Sequence, residues 1–195
     1  PAAGDAGGSL GAALAFWHLE LNHDRQVSKD DKMNGSYLGP EFSQKDIEDE
    51  FKAIGAKFIV LDENDLLSKT VDSLANGEVV GWFQGRMEFG PRALGARSIL
   101  GDPRSHQMQK DLNLKVKYRE SFRPFAPSIL RDDLNNWFKI NVDSPYMVFV
   151  SEVLDKIKNE MNEEEKKLSG LNKLKIKRSN IPAVTHVDYS ARIQT

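Results

Sequence analysis

The amino-acid sequence predicts an α/β domain. From residue 44 onward, short apolar runs that are typical of buried strands alternate with segments that carry apolar residues at helical spacing. The chain has 195 residues, of which 39% are hydrophobic and 29% are charged. This composition is that of an ordinary globular protein, and the length suffices for one domain or for one domain and part of another.

The first part of the chain predicts a helix, a surface connection and a second helix. A segment rich in glycine and alanine leads into an apolar helix that ends near Leu21, and residues 22–42 are polar and contain two glycine-based turn signals. Ser43 precedes Asp46 by three residues, as at many helix starts. We therefore predict a helix over 44–54.

The remaining elements are predicted to alternate in type. Strands are expected at 57–61, 79–84, 125–130, 146–153 and 183–188, and helices at 65–76, 105–114 and 131–138. The caps expected for the first two of these helices are Asn64 and Ser105. Residues 155–180 are mostly Lys, Glu and Asn, which indicates a solvated helix or a mobile insertion without a catalytic role.

Composition and charge exclude several classes of function. The sequence has 27 Lys and Arg residues against 29 Asp and Glu residues, a net charge of −2 at pH 7, so the whole molecule does not coat nucleic acid. It has no cysteine, which excludes disulfides, thiolate catalysis and a cysteine zinc site. No apolar run is long enough to cross a membrane, and no leader is recognised, so we expect a cytoplasmic location.

The most informative segment is residues 81–100, GWFQGRMEFGPRALGARSIL. Glycines recur in it at intervals of five residues and arginines are interleaved with them: Gly85, Gly90 and Gly95 with Arg86, Arg92 and Arg97. Glycine lets a backbone approach a ligand closely, and guanidinium groups pair with phosphate or carboxylate oxygens. The segment predicts an anion-binding loop after a buried strand, and the alternative is a surface loop with solvated arginines.

A second basic stretch covers residues 114–127. It adds four cations, Lys115, Lys117, Arg119 and Arg123. If 115–119 is extended, its three cations share one face and need an anion or Glu120 among them. Lys117 could then act as a point charge on a transferring phosphoryl or carboxyl group. The alternative is again a solvated face.

Polar residues near both ends are further candidates. Thr185, His186 and Arg192 fall in or after the last predicted strand, where buried polar side chains need partners. His186 is either a hydrogen-bonded core histidine or a ligand contact. Asp5 is either a helix N-cap or a carboxylate at a metal or phosphate site beside a glycine-rich turn.

Taken together, five segments resemble the nodulation-type O-carbamoyltransferases, a family that also carbamoylates aminoglycoside and cephem antibiotics. The segments are PAAGDAGGSLGAAL, GWFQGRMEFGPRALGARSIL, KVKYRESFRPFAP, SPYMVFV and PAVTHVDYSARIQT. The resemblance covers almost the whole chain except 155–180. The pairing of FGPRALGARSIL with FRPFAP is far more specific than a lone glycine motif.

The resemblance implies a division of the chain. Residues 1–23 would be the C-terminal helix of an amino-terminal ATPase-like domain, which binds acceptor and metal, and 24–42 would be a linker. Residues 43–195 would form a YrdC-like domain, an open twisted mixed sheet that is truncated at its C-terminal end and carries a charged insertion at 155–180. We therefore expect a fragment cut at both ends.

The resemblance also implies a chemistry. The YrdC-like domain would join ATP and carbamoyl phosphate into carbamoyl adenylate with Mg²⁺, and the other domain would transfer carbamoyl to a hydroxylated small-molecule acceptor. Arg92, Lys117 and Arg192 match the positions that hold carbamoyl phosphate and the ATP phosphates. Further candidates in or beside the same motifs are Arg97, Lys115, Arg119, Arg123, Thr185 and His186.

Asp5 matches an aspartate ligand of an iron-type metal, whose histidine ligands would lie upstream of this chain. On this reading the fragment is catalytically incomplete and needs the remainder of its own polypeptide as a partner. The alternative function is an RNA-binding module that uses the basic concave face of a YrdC-like fold. The net charge of −2 makes nucleic acid the less favoured partner.

Overall fold

A computed structural model describes residues 4–195 of the chain, without the side chains of Asp5, Leu171 and Lys175. The architecture is mixed α/β, as predicted. The chain forms two compact units. The first consists of the segments Pro1–Asp62 and Gly81–Ser98, and the second of Glu63–Val80 and Ile99–Thr195. The domain boundaries expected near residues 23 and 42 stay a prediction.

Six helices and four strands make up the regular structure of the described residues. The helices are α1 (Asp5–Ala15), α2 (Gln44–Ala53), α3 (Glu63–Ala75), α4 (Met108–Asp111), α5 (Leu134–Trp137) and α6 (Glu163–Lys167). The strands are β1 (Val80–Phe83), β2 (Arg97–Leu100), β3 (Phe149–Glu152) and β4 (Ser190–Ile193). None of the helices described is long and apolar enough to cross a membrane.

Helix α2 begins where the sequence indicates. Ser43 Oγ accepts the backbone N–H of Asp46 at 3.2 Å, and the Asp46 carboxylate accepts the backbone N–H of Ser43 at 3.1 Å. This reciprocal pair satisfies two donors that a helix start leaves without intrahelical partners. The predicted helix over 44–54 is therefore confirmed.

The first unit also ties a surface segment to the glycine-rich loop. The backbone N–H of Gly39 donates to Met87 O at 2.9 Å, and the N–H of Phe89 donates to Ser36 O at 2.6 Å. The Tyr37 hydroxyl donates to Leu94 O at 2.6 Å. The polar connection predicted at 22–42 thus holds the loop that follows β1.

The core of the second unit lies against an antiparallel pair of strands. Strand β3 pairs with β4 in a register that runs from Phe149 opposite Ile193 to Glu152 opposite Ser190. The buried residues of this core come from β4 and from the segments beside the two strands: Leu134, Phe138, Val153, Ile157, Ile181, Val184, Ala191 and Ile193. A smaller cluster joins α4 to the turn at Pro182–Val184 through Met108, Leu112 and Ala183, and Phe125 packs against both clusters.

The sheets differ from the predicted single open sheet. The described strands form two sheets of two strands each, β1 with β2 and β3 with β4. The segment predicted as a strand at 125–130 contributes one parallel bridge, between Ser128 and Gln194, beside the end of β4. Each of these strands is only four residues long. The YrdC-like architecture stays a prediction.

Two predicted strands are wrong. The run at 57–61 forms no strand, and Ile59 and Val60 are largely exposed, so its apolar residues do not mark a buried strand in the structure. The strand predicted at 183–188 instead begins at Ser190. Pro182 starts a turn of 3₁₀ helix, and Tyr189 has a left-handed φ of 64°, so the chain becomes extended only after it.

The helix caps and the charged segment also need correction. Helix α3 begins at Glu63, before Asn64, and α4 follows Gln107 without a side-chain cap, so Ser105 does not cap it. Residues 155–180 are not a wholly solvated insertion. Ile176 and Ser179 are buried, and the segment belongs to the second unit.

The core of the second unit offers a stability prediction. Leu134 is 0% exposed, whereas Leu130 is 74% exposed. Leu134→Ala should lower the free energy of unfolding by about 2 to 5 kcal/mol, because it removes buried methyl groups and leaves a cavity. Leu130→Ala is the matched control and should change it by less than about 0.5 kcal/mol in urea titrations. Equal effects of the two substitutions would contradict this packing.

Candidate functional site

The loop between β1 and β2 is built on glycines in left-handed conformations. Gly85, Gly90 and Gly95 have φ values of 56°, 106° and 114°, which residues with a Cβ rarely adopt. The regular glycine spacing in the sequence therefore reflects a backbone requirement. These turns aim several backbone N–H groups of the loop toward its interior.

The anion inside the loop is the protein's own Glu88 carboxylate. Glu88 Oε1 accepts the backbone N–H groups of Leu94 at 2.8 Å, Ala96 at 2.7 Å and Arg97 at 3.2 Å. Its other oxygen accepts from Arg97 Nε at 2.9 Å, and Arg97 Nη2 donates to the Glu88 carbonyl at 2.8 Å. The predicted anion-binding backbone thus exists, but it holds a side chain of the same loop.

Hydrogen bonds set the charge state of Glu88. Its side chain is fully buried, and burial by itself raises the pKa of a carboxyl group. The backbone N–H of Leu94, the Arg97 side chain and the other N–H donors outweigh burial and lower the pKa of Glu88 to about 2. Glu88 is therefore ionised at neutral pH, as its place among four donors requires.

The three arginines of the loop have different surroundings. Arg97 is bound to Glu88, and Arg86 donates to the Gly39 carbonyl at 2.6 Å and lies 3.7 Å from a carboxylate oxygen of Glu41. Arg92 is exposed. Within residues 4–195, its guanidinium has no hydrogen-bond or ion-pair partner. Arg92 is thus the loop arginine that a ligand could engage without breaking an existing bond.

The second basic stretch is helical at its start, so the condition that 115–119 is extended, under which its three cations would share one face, is not met. Helix α4 continues as a wider turn over Leu112–Val116, and Tyr118 has a left-handed φ of 48°. Lys115 and Lys117 do not share the face of a strand. Lys115 pairs with Asp111 at 3.1 Å, as neighbouring turns of a helix allow.

Asn113 organises the loop that follows this turn. The side chain is fully buried, and its amide donates to the carbonyls of Ser121 at 3.2 Å and Arg123 at 2.8 Å. Its oxygen accepts from Arg119 Nε at 2.6 Å, and the Arg119 guanidinium lies 5.1 Å from the centre of the Phe125 ring. Asn113 therefore fixes both the backbone of the loop and one of its cations.

Ion pairs occupy most cations of the basic region at 85–123. Each of its four acidic residues pairs with a cation of the same region: Glu88 with Arg97, Asp102 with Arg104, Asp111 with Lys115 and Glu120 with Arg123. The side chains of Arg92, Lys110 and Lys117 are exposed and have no such partner among the residues described. Two of these three are leading candidates from the sequence.

The polar cluster near the end of the chain lies in a loop before β4. The buried Thr185 hydroxyl lies 2.7 Å from Ser179 Oγ and donates to Ile181 O at 2.9 Å, so it is a structural contact. Burial lowers the pKa of His186; the Asp188 carboxylate opposes this effect, and Arg192 adds to it. His186 is therefore neutral at pH 7 and lies within electrostatic reach of Arg192 on β4.

Asp5 is the first residue of α1, and Gly4 occupies the cap position, so Asp5 is not the N-cap. Its role as a metal ligand stays a prediction, because its side chain lies outside the described part. Among the side chains described, no three His, Asp or Glu residues come together as a metal site. An iron-type metal therefore does not fit the described residues by themselves.

The second unit also contains a cavity of about 450 Å³ with a mainly apolar wall. Its apolar lining comes from α3, from the segment around Ile129 and from Trp137 on α5. The Asp102–Arg104 pair lies at its polar part. None of the candidate site residues lines this cavity, so the sequence candidates and the cavity are separate features.

Two residues important for the site were not singled out from the sequence. Glu88 and Asn113 are buried polar residues that bind loop backbone. An acidic residue inside an otherwise basic, glycine-rich segment is a signal that could have found Glu88. Asn113 has no comparable signal, because a lone asparagine in a predicted helix is ordinary.

Comparison with known proteins assigns the sequence of this chain to a family. The family model described as carbamoyltransferase C-terminus matches residues 71–195. An uncharacterised protein of Synechocystis sp. is 54% identical over the whole chain, which covers 32% of that protein. Nodulation protein NolNO of Sinorhizobium fredii is 39% identical over the whole chain, which covers 26% of it.

A third relative carries an activity in its name. The 3'-hydroxymethylcephem-O-carbamoyltransferase of Amycolatopsis lactamdurans is 40% identical over 68% of this chain, which corresponds to 21% of the relative. The chain therefore spans about a third or less of the length of these curated relatives. All three matches include the basic region, since each covers at least 68% of the chain.

The buried carboxylate of Glu88 predicts a pH dependence of stability. Its pKa is lowered from 4.5 to about 2 in the folded protein. The resulting stabilisation, about 3 kcal/mol, is complete above the unfolded pKa and is lost as the pH falls through the folded one. Glu88→Gln should lack this contribution. Urea unfolding from neutral pH down to about pH 2 tests this, and parallel curves for the two proteins would contradict it.

A second prediction concerns Asn113. Asn113→Ala leaves two carbonyls and Arg119 without their partner and should cost about 1 to 3 kcal/mol of unfolding free energy. Asn135→Ala removes one exposed hydrogen bond to Asn141 and should cost less than about 0.5 kcal/mol. If both substitutions had the same small effect in urea unfolding, Asn113 would not be the anchor of this loop.

Proposed function

Because the chain belongs to the carbamoyltransferase family and contains its C-terminal region, we propose that it supplies the adenylate-forming part of an ATP-dependent O-carbamoyltransferase. This part joins ATP and carbamoyl phosphate into carbamoyl adenylate. We infer that it does so on a YrdC-like architecture in the cytoplasm. We assign this activity to the complete polypeptide, because the curated relatives are about three or more times longer than this chain.

The observation that carries this proposal is that some cations of residues 85–123 are ion-paired and others are not. Most basic residues of 85–123 are bound to acids of the same chain, whereas Arg92 and Lys117 are exposed and have no partner within residues 4–195. Because the net charge of the chain is −2, these cations do not make the whole protein surface attractive to polyanions. Free cations on loops held by buried anchors suit small polyanions such as carbamoyl phosphate and ATP.

Adenylate formation uses such cations directly. Water would first release inorganic phosphate from carbamoyl phosphate and leave carbamate. A carbamate oxygen would then attack the α-phosphorus of ATP and break its bond to pyrophosphate, so negative charge grows on the leaving pyrophosphate. The Arg92 guanidinium would pair with two oxygens at once, and the Lys117 ammonium would act as a point charge. Arg192, beside the neutral His186, would add a third cation. Mg²⁺ would enter with the nucleotide, since it is usually held through substrate phosphates.

Transfer to the acceptor would follow in the rest of the polypeptide. The name of the Amycolatopsis relative states O-carbamoylation of a hydroxymethyl group on a cephem. By this likeness we propose a hydroxylated small molecule as the acceptor. The iron-type metal belongs to that step, and we derive no step through it because the described residues do not form its site.

Removal of either free cation should abolish the first half-reaction. Arg92→Ala and Lys117→Ala in the complete polypeptide should each lower carbamoyl-phosphate-dependent release of pyrophosphate from ATP by roughly 10²-fold or more, because charge stabilisation at the reacting phosphates is lost. Both residues are exposed, so thermal unfolding should not change.

Matched controls are Arg25→Ala and Lys45→Ala, which remove exposed cations outside the candidate site. They should leave pyrophosphate release unchanged. Normal release by both Arg92→Ala and Lys117→Ala would refute the assignment. Binding of duplex RNA with a steep salt dependence, without any response to ATP and carbamoyl phosphate, would favour the nucleic-acid alternative.

A further inference from the structure

The loop that carries Arg92 is closed by a single side chain. The hydrogen bond from Leu94 N–H to the Glu88 carboxylate encloses the five residues 89–93. Both ends of this loop are also bound to the segment at Ser36 and Tyr37 of the same unit, since Phe89 N–H donates to Ser36 O and Leu94 O accepts from the Tyr37 hydroxyl. Arg92 therefore projects from a short loop with fixed ends.

The contacts of Glu88 occupy three backbone N–H groups of this loop, so these donors are not open to an external anion. One carboxylate oxygen takes three N–H groups, and the other takes Arg97 Nε. An exposed cationic side chain of the 89–93 loop can engage an anionic ligand without disturbing these bonds. Arg92, which is exposed and has no partner in the described part of the chain, is that side chain.

We propose that Glu88 is a positioning residue for Arg92: its carboxylate fixes the 89–93 loop so that the Arg92 guanidinium is held ready for the anionic substrate. The proposal deepens the proposed function and rests on it for the identity of the substrate. Its physical reason is entropy. A long side chain on a loose loop loses more conformational freedom on binding than the same side chain on a fixed loop.

The test combines two substitutions in a cycle. Glu88→Gln keeps the shape of the side chain but removes its charge, and it should lower kcat/KM for carbamoyl phosphate by roughly 10²-fold, as a small misplacement of a binding group does. Arg92→Lys keeps a charge and some activity. In the Arg92→Lys background, Glu88→Gln should cost much less, because Glu88 acts through the guanidinium.

Two measurements without substrate accompany the kinetics. Amide hydrogen exchange at Leu94 and Ala96 should accelerate in Glu88→Gln, and ¹⁵N relaxation at Arg92 Nε should show faster motion, while amides of β3 and β4 are unchanged. Glu41→Gln is the control, since Glu41 is an exposed acid that faces Arg86 in the same unit. It should change neither the kinetics nor the relaxation.

Several outcomes would overturn the proposal. Normal kinetics and relaxation in Glu88→Gln would do so, and so would an equal loss in both backgrounds, because Glu88 would then act independently of Arg92. Unfolding of Glu88→Gln and of the milder Glu88→Asp would assign Glu88 to fold maintenance alone. If the unsubstituted protein released no pyrophosphate while Arg92 Nε loosened in Glu88→Gln, the proposed function would fail and the positioning role would stand.

Discussion

A buried carboxylate holds the glycine-rich loop between β1 and β2 together. The fully buried Glu88 side chain accepts hydrogen bonds from three backbone N–H groups and one guanidinium. Hydrogen bonds to an ionised acceptor are about twice as strong as neutral ones. Gly85, Gly90 and Gly95 in this loop have left-handed φ values, which residues with a Cβ rarely adopt, so the backbone path of the loop requires glycine at these positions.

The same constraint sorts the cations of the chain. A cation beside a fixed acid forms an ion pair within the chain, as Arg97 does with Glu88 and Lys115 does with Asp111. Exposed pairs of this kind contribute little to stability, but they cancel positive charge locally. What remains is positive charge at a few positions, among them Arg92 and Lys117. Because the net charge is −2, this positive charge stays local and the surface as a whole does not attract polyanions.

The predictable parts of the structure depend on local chemistry. The start of α2 was predictable because Ser43 and Asp46 satisfy each other within one turn, and β1 was predictable from its apolar run before a glycine. The strand at 183–188 was not, because Pro182 and the left-handed Tyr189 shift the extended segment to Ser190–Ile193. At the site, residue types indicated Arg92 and Lys117. The buried roles of Glu88 and Asn113 were not predicted from the sequence, because their partners are backbone groups several residues away.

The loop after β1 and the loop after α4 are each held by a buried polar side chain, an acceptor in the first and mainly a donor in the second. In the first unit a buried carboxylate accepts backbone N–H groups, and in the second a buried amide donates to backbone carbonyls while its oxygen takes Arg119. Each anchor lies near an exposed cation in sequence, four residues in both cases: Glu88 before Arg92 and Asn113 before Lys117. Buried polar groups must be satisfied, so anchors of this kind hold their loops in one conformation. The exposed cations can then stay unpaired and solvated until an anion arrives, because the shape of their loops does not depend on them.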